Sequence, residues 1–510
     1  MKTNSSESSG NRDLFAIIAF LAGACIAFHL ASAAAGHSLY RDIHMGTALQ
    51  FAKTKIDLFH AIIVGFNATG TPTIQELPLW QAAAAAAFKL FGPWFGWANV
   101  VSLVMFFTCL YPLYQLVCLH LGTRCAAWAL IFFLAQPLIF IYAGLASPDG
   151  FAIMTSIWFW YFATRLLATP SAIWWILSCV FGSLAAVSKL PFFMAAGLAT
   201  FFLLLRAHRT SLRHWLLLGS AGAVAGVVFL AWTHYTDHCL ALAEFPLVDL
   251  RLSNPSTFSW FFGDWHYRLS PGNWAKGGWR ILNSLFGSFV LVGPVIYALV
   301  WAKNSAFAKF SLLGGFVTML IFSHLTLQHS HYYLMFSPGV AILSAQAMLD
   351  FEKNFSLDAL PKRLFLGLGV MALLSLSVVQ GMIGMKVILH YDDYPDKIVA
   401  LIERNTQPVD KLLVQGGGWG GYELFLANRQ GLSIWNTQFL EKPENLARLK
   451  ALGYNKLVMI SESPLLWALQ VINPGQTHQQ RETYHHALTP IADQWPTVFQ
   501  SDDILIKAIP

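Results

Sequence analysis

The stretch LFAIIAFLAGACIAFHLASAA, from Leu14 to Ala34, contains no Asp, Glu, Lys or Arg. As a helix it is long enough to cross the hydrocarbon core of a bilayer, which needs about 20 apolar residues. Lys2 and Arg12 precede it, as basic residues precede a signal peptide, but the run is longer than the roughly 7–15 apolar residues of such a peptide. We therefore expect an uncleaved first transmembrane helix.

Similar apolar runs recur as far as Met385, and we predict eleven spans in total. After the first, they cover residues 97–118, 126–142, 150–167, 172–187, 191–205, 215–233, 282–301, 310–323, 333–349 and 364–385. Residues 77–91 are apolar, but this run is shorter than the roughly 20 residues of a full span. We therefore predict a juxtamembrane helix that lies along or dips into the outer leaflet. Composition agrees, because 56% of the 510 residues are hydrophobic and 11% charged, against roughly 25% charged in soluble domains.

Basic residues in the short loops orient the chain, because Lys and Arg are retained on the cytoplasmic side. With eleven spans and a cytoplasmic N-terminus, that side receives Lys2, Arg12, Arg124, Arg165, Arg206, Arg209, Arg213, Lys303, Lys309, Lys353, Lys362 and Arg363. This predicts a multi-pass protein of a bacterial inner membrane with its C-terminal part in the periplasm. If residues 77–91 were a true span, all later loops would change sides. The net charge of +6 fits loop lysines and arginines, and we predict no nucleic-acid partner.

Residues 386–510 have the composition of a small soluble domain. Strand-like runs begin at Lys411, Leu432, Lys456 and Ile504, and helical patterns begin at Pro395 and Glu444. This alternation predicts a periplasmic α/β domain after a transmembrane domain of residues 1–385. The glycines of residues 416–421 lack both GxGxxG and GK[ST] spacing, so we interpret them as a turn.

Three acidic residues lie on the predicted periplasmic side, close to the membrane. Asp42 follows the first span, where its carboxylate can act as a general base or simply pair with Arg41. Glu76 precedes the juxtamembrane helix and can cap it, bind a divalent cation or orient a phosphate-binding side chain. Asp149 lies in a short turn between spans and can cap the next helix. Because all three acids lie on the same predicted side, close to the membrane, we predict that they belong to one functional site.

The same side offers side chains that can carry positive charge. Lys189 is the sole basic residue in the short outer loops, and this exception to the charge bias indicates a function. Arg268 either reaches lipid headgroups or binds phosphate. His329 and His331 are two residues apart and would diverge on a regular helix, so we predict no joint metal site. We expect one of them, His331, to contact a phosphate.

The order of these motifs resembles the GT-C superfamily of glycosyltransferases, specifically the protein O-mannosyltransferases and the bacterial aminoarabinose transferases that modify lipid A. The likeness covers roughly residues 14–349 and rests on Asp42, Glu76 with Pro78, the PDG turn of residues 148–150, SKLP from Ser188 and HYYLMFSPGVAIL from His331. Family members typically carry a second acid directly after the first, whereas Ile43 follows Asp42 here. This departure leaves metal dependence open.

The resemblance implies a mainly helical, polytopic fold and a sugar transfer that inverts the anomeric carbon. By resemblance, Asp42 is the base that deprotonates the acceptor hydroxyl, Asp149 supports the site, and Glu76 binds a divalent cation or the donor phosphate. Lys189, Arg268 and His331 would neutralise the phosphate leaving group. The implied partners are membrane lipid, a polyprenyl-phosphate sugar such as one built on undecaprenyl phosphate, and an envelope glycan, lipid or protein as acceptor.

Two other functions are compatible with a helical membrane protein. A transporter or flippase would also place polar groups in a bundle, but the sequence shows no convincing internal repeat and almost no charge in the central parts of the spans. A scaffold for the periplasmic domain would need far fewer than eleven spans. The glycosyltransferase hypothesis is therefore the one we carry to the structure.

Overall fold

A computed structural model describes most of the chain, which is mainly helical with one small sheet near its end. The described residues are 5–34, 42–61, 76–92, 94–208, 211–242, 251–286, 291–301, 306–354, 394–415, 422–434, 442–460, 494–501 and 504–509, with isolated helical positions between 372 and 379. The predicted span of residues 364–385 otherwise lies outside the described residues. The chain divides into two compact units.

The described part of the chain contains seventeen α-helices up to residue 354. They are α1 (Ser5–Ala34), α2 (Asp42–Lys53), α3 (Leu79–Phe91), α4 (Gly96–Phe107), α5 (Leu110–Leu121), α6 (Thr123–Leu134), α7 (Pro137–Tyr142), α8 (Pro148–Ala168), α9 (Ala172–Ala207), α10 (Leu212–Ala241), α11 (Pro255–Phe262), α12 (Trp265–Leu269), α13 (Pro271–Ser284), α14 (Val292–Trp301), α15 (Ala306–Ile321), α16 (Ser323–Gln328) and α17 (Ser337–Asn354). A 3₁₀ helix, Ser330–Phe336, joins α16 to α17.

Several of these helices are long and apolar enough to cross a membrane. By length and composition, six pass among the described residues, and the bent pair α14 and α15 would make a seventh. The six are Leu14–Ala34, Gly96–Leu121, Pro148–Ala168, Ala172–Ala207, Leu212–Ala241 and Ser330–Lys353. The protein is therefore a multi-pass membrane protein, although its helices are divided differently from the eleven predicted spans.

Prolines mark two breaks in these helices, one between two predicted spans and one within a predicted span. The predicted spans 172–187 and 191–205 lie in α9, where Lys189 departs from helical geometry with φ −157° and ψ 100°. Pro191 causes the break, because it lacks an amide hydrogen and its ring crowds the carbonyl four residues earlier. The predicted span 126–142 is divided into α6 and α7, because Gln136 is extended and Pro137 begins the next helix.

The first unit comprises Met1–Ala31, Asn99–Thr233 and Pro255–Met385, and its centre is built from closely packed helices. Helix α8 packs along α9, α9 along α15, and α6 along α17. Arg124 at the start of α6 forms an ion pair with Glu352 near the end of α17, with Nε 2.9 Å from Oε2 and Nη2 3.0 Å from Oε1. This paired contact fixes which ends of the two helices meet.

The second unit comprises Ser32–Ala98, His234–Asn254 and Lys386–Pro510. In it, α2 packs against α3 around buried Phe51, Ala61 and Ala85. The predicted juxtamembrane helix is present as α3, preceded by Pro78 at its N-cap. The predicted domain boundary after Met385 stays a prediction, and this unit combines the C-terminal residues with two earlier segments.

The C-terminal sheet contains five strands in the order β2-β1-β3-β5-β4. They are β1 (Lys411–Gln415), β2 (Gln430–Ile434), β3 (Tyr454–Ile460), β4 (Thr497–Gln500) and β5 (Ile504–Ala508). β1 is parallel to β2 and β3, whereas β5 is antiparallel to β3 and β4. The helices Tyr394–Asn405, Tyr422–Leu426 and Pro443–Ala451 alternate with the first three strands. The predicted α/β character is therefore confirmed, together with four of the strands.

Candidate active site

Asp149 lies in the first turn of α8, completely withdrawn from solvent. Ser147 is the N-cap residue, and its hydroxyl accepts from the Asp149 amide at 3.4 Å and donates to Asp149 Oδ2 at 2.9 Å. A carboxylate is favoured in this position because the amide dipoles of a helix point their positive end at it. The sequence SPDG thus builds a fixed anion at the start of a buried helix.

Lys189 meets that anion from the break in α9. Its Nζ lies 3.2 Å from Asp149 Oδ1, and its side chain is 4% exposed. The same ammonium lies 5.3 Å from the centre of the Tyr332 ring, within the range of a cation–π interaction. The residue at which the backbone of α9 departs from helical geometry is therefore also the residue that forms the buried ion pair with Asp149.

His331 is the third member of the cluster. It lies in the 3₁₀ helix, and its Nε2 is 3.9 Å from the Asp149 oxygen that Lys189 contacts. Its ring packs 4.3 Å from the Tyr332 ring and 6.3 Å from the Tyr142 ring. Two predicted site residues, Lys189 and His331, therefore converge on the carboxylate of a third, Asp149.

The arrangement around Asp149 determines what the carboxylate can do. One oxygen accepts from Ser147, and the other lies beside Lys189 and His331. A carboxylate engaged in this way holds the basic side chains in position, and is poorly placed to take a proton from a substrate. When His331 is neutral, the charges of Asp149 and Lys189 cancel. When His331 is protonated, the three side chains together carry one net positive charge, which favours binding of an anion.

The packing behind this cluster is close. A cavity of about 20 Å³ lies one helical turn further along, lined in part by Ile153, Phe192 and Met335. These residues follow Asp149, Lys189 and His331 by three or four positions. The space is large enough for about one water molecule, so a sugar or lipid has to reach the cluster from another direction.

Arg268 has partners other than this cluster. Its Nε donates to the carbonyls of Phe262 and Gly263 at 3.0 and 3.1 Å, and its Nη2 donates to that of Ile321 at 3.0 Å. The guanidinium thereby ties the end of α11 to the end of α15. Its predicted contact with phosphate stays a prediction.

Asp42 and Glu76 belong to the second unit. Asp42 is the first residue of α2, but its side chain lies outside the described residues. Glu76 is half-buried three residues before α3. A hydrogen bond of 3.0 Å between the buried side chains of His44 and Gln81, from Gln81 Nε2 to His44 Nδ1, links α2 to α3. Their predicted roles stay predictions.

The donor atoms around Asp149 do not suit the divalent cation that the sequence suggested. Among the residues that the structure describes, no group of three or more His, Cys, Asp or Glu could hold a metal ion. A cation bound to Asp149 Oδ1 would meet the Lys189 ammonium 3.2 Å away, which opposes binding by like-charge repulsion. Glu76 stays the one predicted metal ligand.

Sequence reasoning missed three residues that shape the site. Ser147 was identifiable, because Ser followed by Pro is a common start of a helix. Tyr332 carries the ring beneath Lys189, and Arg280 donates to the carbonyls of Leu327 and Gln328 at 2.6 and 2.9 Å, just before His331. These last two depend on contacts between distant segments, and no sequence pattern indicates them.

No protein-family model matches the sequence, and no curated protein matches it significantly. Solved structures are similar. ArnT from Cupriavidus metallidurans, crystallised bound to undecaprenyl phosphate, has a TM-score of 0.61 at 12% identity, over 98% of this chain and 97% of that one. Archaeal oligosaccharyltransferase AglB from Archaeoglobus fulgidus, in complex with an inhibitory peptide and a dolichol-phosphate, has a TM-score of 0.54 at 10% identity, over 95% and 72%.

A third similar structure is the arabinofuranosyltransferase AftD from Mycobacteria, with a TM-score of 0.53 at 13% identity, over 96% of this chain and 40% of that one. The Archaeoglobus fulgidus oligosaccharyltransferase was also crystallised in complex with Zn and sulfate. All three proteins are GT-C glycosyltransferases. The chain therefore has the GT-C fold, as its motifs predicted.

Proposed function

We propose that this chain is a membrane glycosyltransferase that moves a sugar from a polyprenyl-phosphate donor to an acceptor hydroxyl. We place the reaction at the periplasmic face of a bacterial inner membrane. The observation that carries the proposal is the buried cluster of Lys189 and His331 around Asp149, located at the start of α8, the break in α9 and the 3₁₀ helix before α17 of a GT-C fold. The acceptor is an envelope lipid, glycan or protein.

The proposed reaction is an inverting displacement at the anomeric carbon. The acceptor oxygen forms a bond to that carbon while the bond to the donor phosphate breaks, and the phosphate leaves with the electron pair. Asp42 accepts the proton of the acceptor hydroxyl. Lys189 and His331 stabilise the charge that grows on the leaving phosphate, because fixed positive charge in a poorly solvated site lowers the energy of such a transition state.

Asp149 contributes by holding these side chains before the substrate arrives. An unpaired lysine would lose about 2 kcal/mol of rotamer entropy when substrate binding orders its side chain. The ion pair with Asp149 already orders Lys189 in the folded protein. Glu76 is proposed to orient the donor phosphate or a divalent cation that neutralises it. Addition of a chelator to an active preparation would separate these two roles.

The contacts of Arg124 and of Asp149 agree with the predicted assignment of residues to the two sides of the membrane. Sequence reasoning assigned Arg124 and Lys353 to one side of the membrane and Asp149, Lys189 and His331 to the other. Arg124 contacts Glu352, the neighbour of Lys353, and Asp149 contacts the other two. Residues assigned to the same side therefore meet each other, which supports the division of these residues between two faces.

The neighbours support the donor class. ArnT was crystallised with undecaprenyl phosphate, and AglB was solved with a dolichol-phosphate. Both ligands are polyprenyl phosphates, the leaving group of the proposed reaction. The helical bundle keeps such a lipid at the membrane, so its reactive bond is presented at headgroup height.

The experiment is sugar transfer in membranes that contain the chain, measured with a panel of sugar-linked polyprenyl phosphates. We expect transfer from at least one donor, with large losses for Asp42→Asn and Lys189→Met at matched protein levels. Lys353→Met, an exposed lysine assigned to the other face, serves as the control and keeps wild-type transfer. Absence of transfer from every donor would overturn the proposal in favour of a transporter.

A further inference from the structure

Six rings form a continuous line in the first unit, which we call the aromatic strip. From one end to the other they are Tyr267, His324, Trp260, His329, His331 and Tyr332. Successive centroids lie 4.2, 4.6, 5.8, 5.4 and 4.3 Å apart. The strip combines α11, α12, α16 and the 3₁₀ helix, so the fold brings it together from two separate sequence segments, residues 260–267 and 324–332.

Hydrogen bonds to backbone carbonyls hold these segments in place. Arg268 ties α11 to α15, Arg280 donates to the last carbonyls of α16, and the Ser323 hydroxyl donates to the Phe262 carbonyl at 2.8 Å. Gly263, with φ +76°, lets the chain turn here, where a Cβ would stand 2.8 Å from Ser323 Oγ. The strip is therefore a built surface, fixed before any ligand binds.

The strip leads from the exposed Trp260 to the buried charges. Trp260 is 39% exposed, and His324 and His329 are half-buried. At the inner end, His331 and Tyr332 are buried beside Asp149 and Lys189. A molecule lying along the strip would therefore have one end in the open and the other at the proposed phosphate site.

The chemistry of the strip suits a ring that carries hydroxyl groups. Trp and Tyr present an apolar face with a polar edge, and the exposed Gln328 amide donates to the Tyr267 hydroxyl at 3.1 Å. Burial lowers the pKa of His324, which keeps this imidazole neutral. A neutral imidazole has one donor and one acceptor, and a hydrogen bond with the Ser259 backbone engages one of the two ring nitrogens of His324. Apolar faces edged by a few such groups are typical of ligand sites that fix orientation.

We propose that the aromatic strip binds the sugar ring of the donor. The inference rests on the proposed function and goes further by assigning the sugar a subsite. In the donor, the sugar is bonded directly to the phosphate, so it must lie beside the groups that meet the phosphate. His331 belongs to both the strip and the charged cluster, which favours the donor sugar over the acceptor as the occupant.

The test compares binding of a sugar-linked lipid with binding of the bare lipid. Purified full-length protein would be titrated with bare undecaprenyl phosphate and with pentose-linked and hexose-linked undecaprenyl phosphate. We expect the wild type to bind one sugar-linked form more tightly than the bare lipid. Trp260→Ala and His329→Ala should each lose about tenfold in affinity for that form and change bare-lipid affinity by less than about twofold.

Two further variants guard against a general loss of structure. Trp279→Ala removes a tryptophan of α13 that is more exposed than Trp260, 59% against 39%, and should leave both affinities unchanged. Trp260→Phe keeps a ring and should recover most of the preference. Where transfer is measurable, the donor KM should rise with little change in kcat.

Several outcomes would overturn this inference. They are equal weakening of bare-lipid and sugar-linked binding, a rise in the acceptor KM alone, or no difference between Trp260→Ala and Trp279→Ala. Loss of the proposed function is a separate result, because it appears as no transfer by the wild type. Even then, a sugar preference that disappears in Trp260→Ala would uphold the strip, and a wild type without any preference would refute it.

Discussion

The Lys189 ammonium and the Asp149 carboxylate form an ion pair of 3.2 Å between side chains that are 4% and 0% exposed. They come from α9 and α8, so the pair joins two helices at the point where one of them is broken. Removing two charges from water is costly, and their attraction repays this only when both are present and well placed. The pair is therefore more sensitive to loss of one member than to loss of both.

Single substitutions of this pair should destabilise the protein more than the double substitution. Lys189→Met and Asp149→Asn should each cost about 3–5 kcal/mol, because each leaves a buried group without its partner. The double variant should cost clearly less than the sum. Thermal unfolding in a fixed detergent would measure this, and strictly additive effects would contradict it. Transfer should stay lost in the double variant, since the cation is then absent.

A buried carboxylate also organises the C-terminal sheet. Asp410 accepts from the Gln407 amide and from Asn455 Nδ2, both at 2.7 Å, and Asn455 Oδ1 accepts from the Lys411 amide at 3.2 Å. These bonds fasten the start of β1 to β3. Asp410→Ala should cost about 1–3 kcal/mol through the lost bonds to a charged group.

Hydrogen exchange would locate that effect in the full-length protein. Amides of β1 and β3 should exchange faster in Asp410→Ala, while those of α8 and α9 should keep wild-type protection. Glu444→Ala, which removes an exposed acid from a nearby helix, is the matched control. Unchanged protection in both strands would show that the network contributes nothing.

Sequence periodicity predicted the elements that bury a regular face. Four strands and two of the three described helices of the C-terminal domain were found because apolar residues recur at the spacing each element requires, whereas the short helix Tyr422–Leu426 was missed. β4 was missed, since it is short and mostly exposed at the sheet edge, which leaves little hydrophobic pattern. The juxtamembrane helix α3 was predicted from its length and composition.

The candidate site was predicted only in part. Lys189 stood out because a lone lysine among outer loops breaks the charge bias, and Asp149 because an acid follows Pro148 at a helix start. Their pairing was not visible, because residues 40 positions apart meet only through the packing of α8 on α9. The hydrogen bonds from Arg268 to backbone carbonyls were not predicted either, and its contact with phosphate stays a prediction.

The proposed orientation predicts which ends of α17 and of the preceding 3₁₀ helix reach each side of the membrane. Gln328 and Lys353, both exposed, lie at opposite ends of the apolar segment Ser330–Lys353. In intact cells, Gln328→Cys should react with a membrane-impermeant maleimide and Lys353→Cys should react only after permeabilisation. The wild type supplies the background from its six cysteines. The reverse pattern would invert the proposed orientation.

The segment that leads into Asp149 is held by side chains from other helices. The His29 ring N–H at Nε2 donates to the Phe140 carbonyl at 2.9 Å, and Asn99 Nδ2 donates to the Gly144 carbonyl at 2.7 Å. A Cβ on Gly144 would stand 2.3 Å from the His29 ring. Glycine is therefore required at this position as long as the imidazole is present.

Gly144→Ala should destabilise the wild type and have the opposite effect once the ring is removed. In the wild-type background we expect a loss of about 1–3 kcal/mol from overpacking, with reduced transfer because the displaced segment carries Ser147 and Asp149. In a His29→Ala background the new methyl group enters the space left by the imidazole, so the same change should be neutral or stabilising. Gly197→Ala, whose Cβ would meet only an ordinary contact at 3.9 Å, is the control. Unfolding temperatures of the four combinations of the two sites measure this change of sign, and equal effects of Gly144→Ala in both backgrounds would mean that His29 does not set the position of this segment.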